Sequence, residues 1–259
     1  MYATERHEQI ERLLLVDGRV SVVDLAGRFD VTTETVRRDL DQLESAGALR
    51  RVHGGAVAID RASTAESPLA ERLQRHSAAK SAIGQRAAAA VGEAFRGSVF
   101  LDAGTTTAAV ASHLAPRLST GSIEVVTHAL TLANALAAVP GAALTLIGGR
   151  VRGLTAAAVG ADTVRAIESM RPDVAFLGTN GVSADFGLST PDPDEAAVKR
   201  AIVRSARRVV VVADSDKLGR ELLVGFAPLA EIDVLVTDAE PDPVLSAALS
   251  DADVEVWLA

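Results

Sequence analysis

Apolar positions in the first 57 residues recur at helical spacing, in short bursts. Ile10, Leu13 and Leu14 fall on one face of a first helix, which Asp17 and Gly18 stop. Ser21 is placed to cap a second helix that buries Leu25, Ala26 and Phe29. Thr32 is placed to cap a third, in which Val36, Leu40 and Leu43 share one stripe. Asp30 and Val31 form the turn between these two helices, and the Ser-Ala-Gly run ending at Gly47 closes the third. "ALRRVHGGAV" then predicts a strand, a Gly-Gly turn and a second strand.

Beyond residue 57 the rhythm changes. Residues 58 to 75 are small and polar, with one proline, and run into a helix. Apolar runs of strand length then alternate with helical stretches: "SVFLDAG", "IEVVTHA", "ALTLIGG", "VAFLGTNG", "RVVVVAD" and "VLVTD". Such alternation predicts parallel strands joined by crossover helices, an α/β fold. The expected organisation is a helix-turn-helix with a wing over 1–58, a linker over 59–75, and a mostly parallel α/β domain over 76–259.

Composition refines this picture. Hydrophobic residues make up 48% of the 259 but aromatics only 3%, so the core is built from Ala, Val, Leu and Ile. There is no cysteine, which excludes disulfides and thiolate metal sites. The N-terminus lacks an apolar leader and no run approaches a membrane span; a cytoplasmic protein is expected, with no membrane partner. Net charge is −8, and residues 1–57 hold eight arginines against ten acids, a net of −2. The general basic footprint of a nucleic-acid binder is therefore missing.

Distribution restores that reading. Four of those eight arginines stand in two pairs. In a helix-turn-helix the third helix enters the major groove, so Thr33, Glu34, Thr35, Arg37 and Arg38 face DNA while Val36 and Leu40 face the core. A guanidinium is a planar fork that grips guanine or phosphate. Arg50, Arg51 and His53 lie on the wing, and Gly54-Gly55 at its tip lets backbone approach phosphate. The plainer alternative is a solvated helix face with Arg38 paired to Asp41 or Gln42.

A second chemistry is suggested by "FLDAGTTTAAV": a strand ending in Asp102, a turn at Gly104, then Thr105, Thr106 and Thr107 opening a helix. Free N–H groups and hydroxyls there suit an anion, although a plain helix cap reads the same way. No P-loop and no G-x-G-x-x-G follows a strand. The loops with His128, Gly148 and Gly149, Gly178 to Gly181 including Asn180, and Asp214 to Lys217 end other strands at the same edge, where parallel sheets bind ligands. Lys199 and Lys217 offer positive charge, and Asp102 and Asp214 can accept hydroxyl protons. The alternatives are an ordinary Glu195–Lys199 i, i+4 ion pair, a loop histidine at 128 and a surface lysine at Lys80.

Residues 6–57 resemble the winged helix-turn-helix of the DeoR family of bacterial transcription regulators. The matching positions are Thr35, Arg37, Arg38, Asp39, Leu40, Leu43, Gly47, Arg51, His53, Gly54, Gly55 and Ala56. The likeness continues through the family's effector domain, which is similar in fold to ribose-5-phosphate isomerase, at Asp102, Gly104, Thr105, Thr106, Gly148, Gly149, Gly178, Gly181, Glu195, Lys199, Asp214 and Lys217. One departure is His128, where the family usually carries asparagine. The resemblance implies a sugar-operon repressor, released from operator DNA by a phosphorylated sugar and assembled as a homodimer or homotetramer. It implies no catalytic residue, metal or cofactor. Two rival readings stay open: an activator, or a sugar-phosphate isomerase in which Asp102, Glu195 and Lys199 move a proton.

Overall fold

The computed structural model of the chain describes residues 3–45, 48–52, 54–58, 63–64 and 66–259. It divides into two compact units, Met1–Ala62 and Ser63–Ala259.

The first unit runs α1 (Ala3–Asp17), β1 (Arg19–Ser21), α2 (Val22–Phe29), α3 (Thr33–Ser45), β2 (Leu49–Val52) and β3 (Gly55–Ala58). Ile10, Leu14, Leu25, Phe29, Val36, Leu40 and Leu43 form its core, so the helical spacing read from the sequence is the buried face. Ser21 accepts from Val23 N and Asp24 N to cap α2, and Thr32 Oγ1 accepts from Thr35 N to cap α3. Asp30 ends α2 in the left-handed conformation, φ 52°. Gly47, the expected end of α3, lies outside the described residues.

The wing is a three-stranded antiparallel sheet in the order β1-β3-β2, one strand more than the hairpin expected. Arg19–Ser21 is too short for alternation to register. This third strand also corrects the role of Gly55. A Cβ there would sit 2.0 Å from Val20 O, so the glycine lets β1 and β3 pair. Only Gly54, at φ +79° with open space around it, is a free tip.

The second unit begins earlier than the expected linker would allow: Leu69–Gln74 is helix α4. It continues α5 (Ser77–Ala88), β4 (Gly97–Leu101), α6 (Thr105–Leu118), β5 (Ile123–Thr127), α7 (Leu130–Ala137), β6 (Ala143–Leu146), β7 (Arg150–Arg152), β8 (Ala157–Val159) and α8 (Ala161–Glu168). Then come β9 (Val174–Gly178), β10 (Gly181–Ser183), β11 (Gly187–Thr190), α9 (Pro193–Ser205), β12 (Val209–Val212), β13 (Val224–Ala227), β14 (Val234–Thr237), α10 (Pro243–Asp251) and β15 (Glu255–Leu258).

Seven strands make one sheet, β15-β14-β12-β9-β4-β5-β6, and every pairing in it is parallel. Alternate residues of each strand feed opposite cores. Phe100 and Leu177 pack on one face, and Leu101 and Phe176 on the other. The chain steps outward from β4 through β5 to β6, then returns to β9 and proceeds the other way. The strand order therefore reverses between β4 and β9, and the carboxyl ends there flank a crevice. Among the described residues no helix is long and apolar enough to cross a membrane.

Candidate functional sites

On α3 the buried stripe is Val36, Asp39, Leu40 and Leu43. Thr33, Glu34, Arg37 and Arg38 are exposed on the other side and Thr35 is half-buried. The Arg37 and Arg38 side chains are 55% and 76% exposed, and both lean on Glu34, at 3.8 and 3.4 Å. Such contacts between solvated groups are weak. Arg38 therefore turns to Glu34 rather than to the Asp41 or Gln42 of the plainer reading.

Asp41 is engaged by Arg51, whose guanidinium also donates to Arg37 O at 3.2 Å. Glu44 Oε1 accepts from Arg51 N at 2.6 Å. Arg51 thus braces β2 against α3 instead of projecting from the wing. The Arg50 side chain and His53 lie outside the described parts of the structure.

Asp39 was matched but given no role by sequence reasoning. It is buried, accepts from Arg6 Nε at 2.7 Å and Nη2 at 2.9 Å, and lies 3.1 Å from His7 Nε2. A buried carboxylate demands such partners. The signal was available: Asp39 falls beside Leu40 on the apolar stripe, three residues after Val36.

In the second unit Asp102 is completely buried at the end of β4. Its Oδ2 accepts from Lys199 Nζ at 2.5 Å and from Gly178 N at 3.0 Å, and His128 Nε2 lies 3.0 Å from Oδ1. Lys199 also donates to Gly178 O at 2.8 Å. His128 Nδ1 donates to Ala158 O at 2.8 Å, since a carbonyl can only accept. Burial alone would raise the Asp102 carboxyl, but Lys199 and His128 outweigh it and hold the pKa at about 2.

These three residues form an internal joint tying the ends of β4, β5 and β9 to α9. Asp102 has no surface to offer a hydroxyl, contrary to expectation, and His128 is a buried joint member rather than a loop histidine. The Glu195–Lys199 ion pair of the plainer alternative does not form, since Lys199 pairs with Asp102. Glu195 instead accepts from Thr155 Oγ1 and, at 3.2 Å, from Arg152 Nη1.

Other expected residues also turn inward. Thr107 Oγ1 donates to Gly104 O at 2.9 Å, and Asn180 Oδ1 accepts from Thr190 Oγ1 at 3.1 Å. Gly148 O accepts from Thr163 Oγ1. A Cβ at Gly149 would lie 2.0 Å from that hydroxyl, and one at Gly181 would lie 2.3 Å from Arg220 O. These glycines are demanded by packing.

What remains open at the crevice is the first turn of α6. Its N–H groups have no partner within the helix, Thr105 is half-buried and Thr106 is buried. Asp214 is buried with Oδ1 unpaired. Lys217, in the 3-10 turn Ser215–Lys217, has no hydrogen-bond or ion-pair partner for Nζ among the described residues. Burial lowers its pKa to about 8, with Asp214 pulling the other way. Lys80 is not a surface residue: it is buried and donates to Arg72 O at 2.5 Å and Arg75 O at 2.6 Å.

The chain resembles known proteins along its length. The DeoR-like helix-turn-helix domain matches residues 6–62 and the DeoR C terminal sensor domain matches residues 75–239. The glycerol-3-phosphate regulon repressor of Escherichia coli strain K12 is 31% identical over 258 residues, covering 100% of both chains. The HTH-type transcriptional regulator GlpR of Haloferax volcanii is 39% identical over 244 residues, 93% of this chain and 92% of that one. Among solved structures, the full-length sorbitol operon regulator SorC from Klebsiella pneumoniae aligns over 96% of this chain and 99% of its own, at 15% identity and a TM-score of 0.42. Two family domains in this order, and relatives matched end to end, lead to one conclusion: the chain belongs to the DeoR family of DNA-binding transcriptional regulators.

Proposed function

We propose that the protein is a cytoplasmic repressor of a sugar- or polyol-phosphate operon, released from its operator by a phosphorylated metabolite. Helix α3 enters the major groove and Arg37 and Arg38 supply the principal contacts, with Thr33 and Glu34 beside them. The effector's phosphate lies in the crevice between β4 and β9, against the first turn of α6 and Lys217.

The observation that carries this reading is the state of Lys217. A half-buried ammonium with no partner among the described residues stands beside the unpaired Asp214 Oδ1, in the turn that follows β12, the strand next to β9. A dianionic ligand would supply the missing partner. Asp102, Glu195 and Lys199, the groups a proton-transfer enzyme would need, are each committed to internal bonds. A homodimer or homotetramer would present paired α3 helices to half-sites about one helical turn apart.

The test is fluorescence anisotropy on the protein's own upstream DNA, with glycerol 3-phosphate and a panel of pentose and hexose phosphates. One of them should release the DNA from the native chain, and release should be blunted in Lys217→Ala while DNA affinity stays unchanged. Normal release from that variant would place the phosphate elsewhere.

A further inference from the structure

The segment 66–76 lies across the edge of the sensor unit where the crevice opens. Leu69 N donates to Leu154 O at 3.3 Å. Leu69 and Leu73 of α4 line a cleft of about 230 Å³ together with Gly104 and Thr105, at the start of α6. Arg75 Nη2 and His76 Nε2 reach Asp216 at 2.9 and 3.0 Å, one residue from Lys217. Lys80 grips the carbonyls of Arg72 and Arg75 from beneath.

At the other end of this segment stands Glu66, whose side chain is only 2% exposed. Its two oxygens accept from Arg72 Nη1 at 3.2 Å and from Arg152 Nη1 at 2.7 Å. Arg152 also reaches Asp192 at 3.0 Å and Glu195 at 3.2 Å. Burial works against the Arg152 charge, but Glu195, Glu66 and Asp192 hold its pKa above the ordinary value.

Two of these carboxylates belong to α9, Asp192 as its cap and Glu195 in its first turn; the third is carried by segment 66–76. Arg72 Nε, buried in the same cluster, has no acceptor among the described residues. The fork geometry of two arginines around one carboxylate is also the geometry that grips a phosphate.

We propose that Arg152 and Arg72 form a second anion subsite of the sensor unit, apart from the phosphate position at α6 and Lys217, and that Glu66 is its built-in occupant: its carboxylate holds the two arginines until an incoming anionic group displaces it, freeing segment 66–76. This rests on the effector reading above and adds the means of its regulation. A phosphate offers more acceptor oxygens than the carboxylate it replaces, one of them for Arg72 Nε. The freed segment is the stretch of chain that leads back toward the DNA-binding unit, so an anion held on Arg152 and Arg72 alters the tether of that unit. His76, in the left-handed conformation at φ 53°, ends the segment at a strained residue suited to a hinge. Because the carboxylate and the ligand compete, each must weaken the other.

The experiment uses the full chain and inorganic phosphate. Calorimetric titration of the native protein and of Glu66→Gln should give tighter binding to the variant, by roughly tenfold. Hydrogen exchange in the native protein should quicken across peptides covering 66–76 when phosphate is added. Equal affinities, together with unchanged or slower exchange in that segment, overturn the latch and leave the effector reading standing. Failure of phosphate to bind either protein overturns both. Should the variant not fold, the exchange measurement on the native chain decides the matter.

Discussion

The two units use charge in opposite ways. On α3 the arginines are solvated and lean loosely on one glutamate. In the sensor unit Asp102 and Lys199, 1% and 7% exposed, are locked together inside the protein. A DNA face gains from mobile, fully hydrated guanidiniums, because counterion release and choice among many phosphates favour groups not already paired. A small-ligand crevice gains from rigidity, and rigidity is obtained by burying ions that satisfy one another. Charged side chains therefore carry different costs of removal in the two units.

The largest effect expected is in the sensor. Lys199→Ala strands the Asp102 carboxylate inside the protein and should destabilise the unit by about 3–5 kcal/mol in denaturant unfolding. A loss under about 1 kcal/mol would show that the joint is not what holds the strand ends. The native protein should also lose stability in acid. The Asp102 carboxyl is held near 2, below its ordinary value, so its contribution is complete above about pH 4 and disappears as pH falls toward 2.

Next comes the DNA face. Replacing both Arg37 and Arg38 by alanine should weaken operator binding roughly 100-fold and flatten its salt dependence. Thermal stability should move by no more than about 0.5 kcal/mol, since both side chains are exposed. If stability fell as far as in Lys199→Ala, the contrast between the two units would fail.

The smallest effect concerns Lys217. Its folded pKa, about 8, lies below that of free lysine. The unfolded chain holds more protons between those values, so stability rises with pH through that window. Phosphate affinity should move the other way, falling roughly tenfold between about pH 7 and pH 9 as the ammonium is lost. In Lys217→Met that slope should vanish; a slope that persists would assign the titration to another group.

Much of this architecture is written in local pattern. Helical spacing located the core of α1 to α3, and apolar runs located β4, β5, β6, β9, β12 and β14. Strands β1 and β10 were not legible, because three residues carry too little alternation, and β15 opens on Glu255 and lacks the unbroken apolar run of the equally short β12. The candidate sites were legible as positions but less so as roles. Loop ends converge as the parallel topology dictates, yet which carboxylate meets which ammonium is set by contacts far apart in sequence. Lys199 looks to Glu195 along the helix and finds Asp102, 97 residues away, instead. Glu66 sits in a stretch whose small polar composition reads as linker, and nothing local announces its partner 86 residues on. Arg152 was overlooked for the same reason.

The placement of β4 beside β9 has a consequence for biosynthesis. Asp102 and the Gly178 backbone that receives it are 76 residues apart, so closing that gap costs chain entropy before any contact rewards it. A ribosome-bound chain that has released only β4 to β6 possesses no crevice at all. On the proposed reading of the crevice, metabolite recognition is withheld until the far half of the sheet docks, and an unfinished regulator is deaf to its signal.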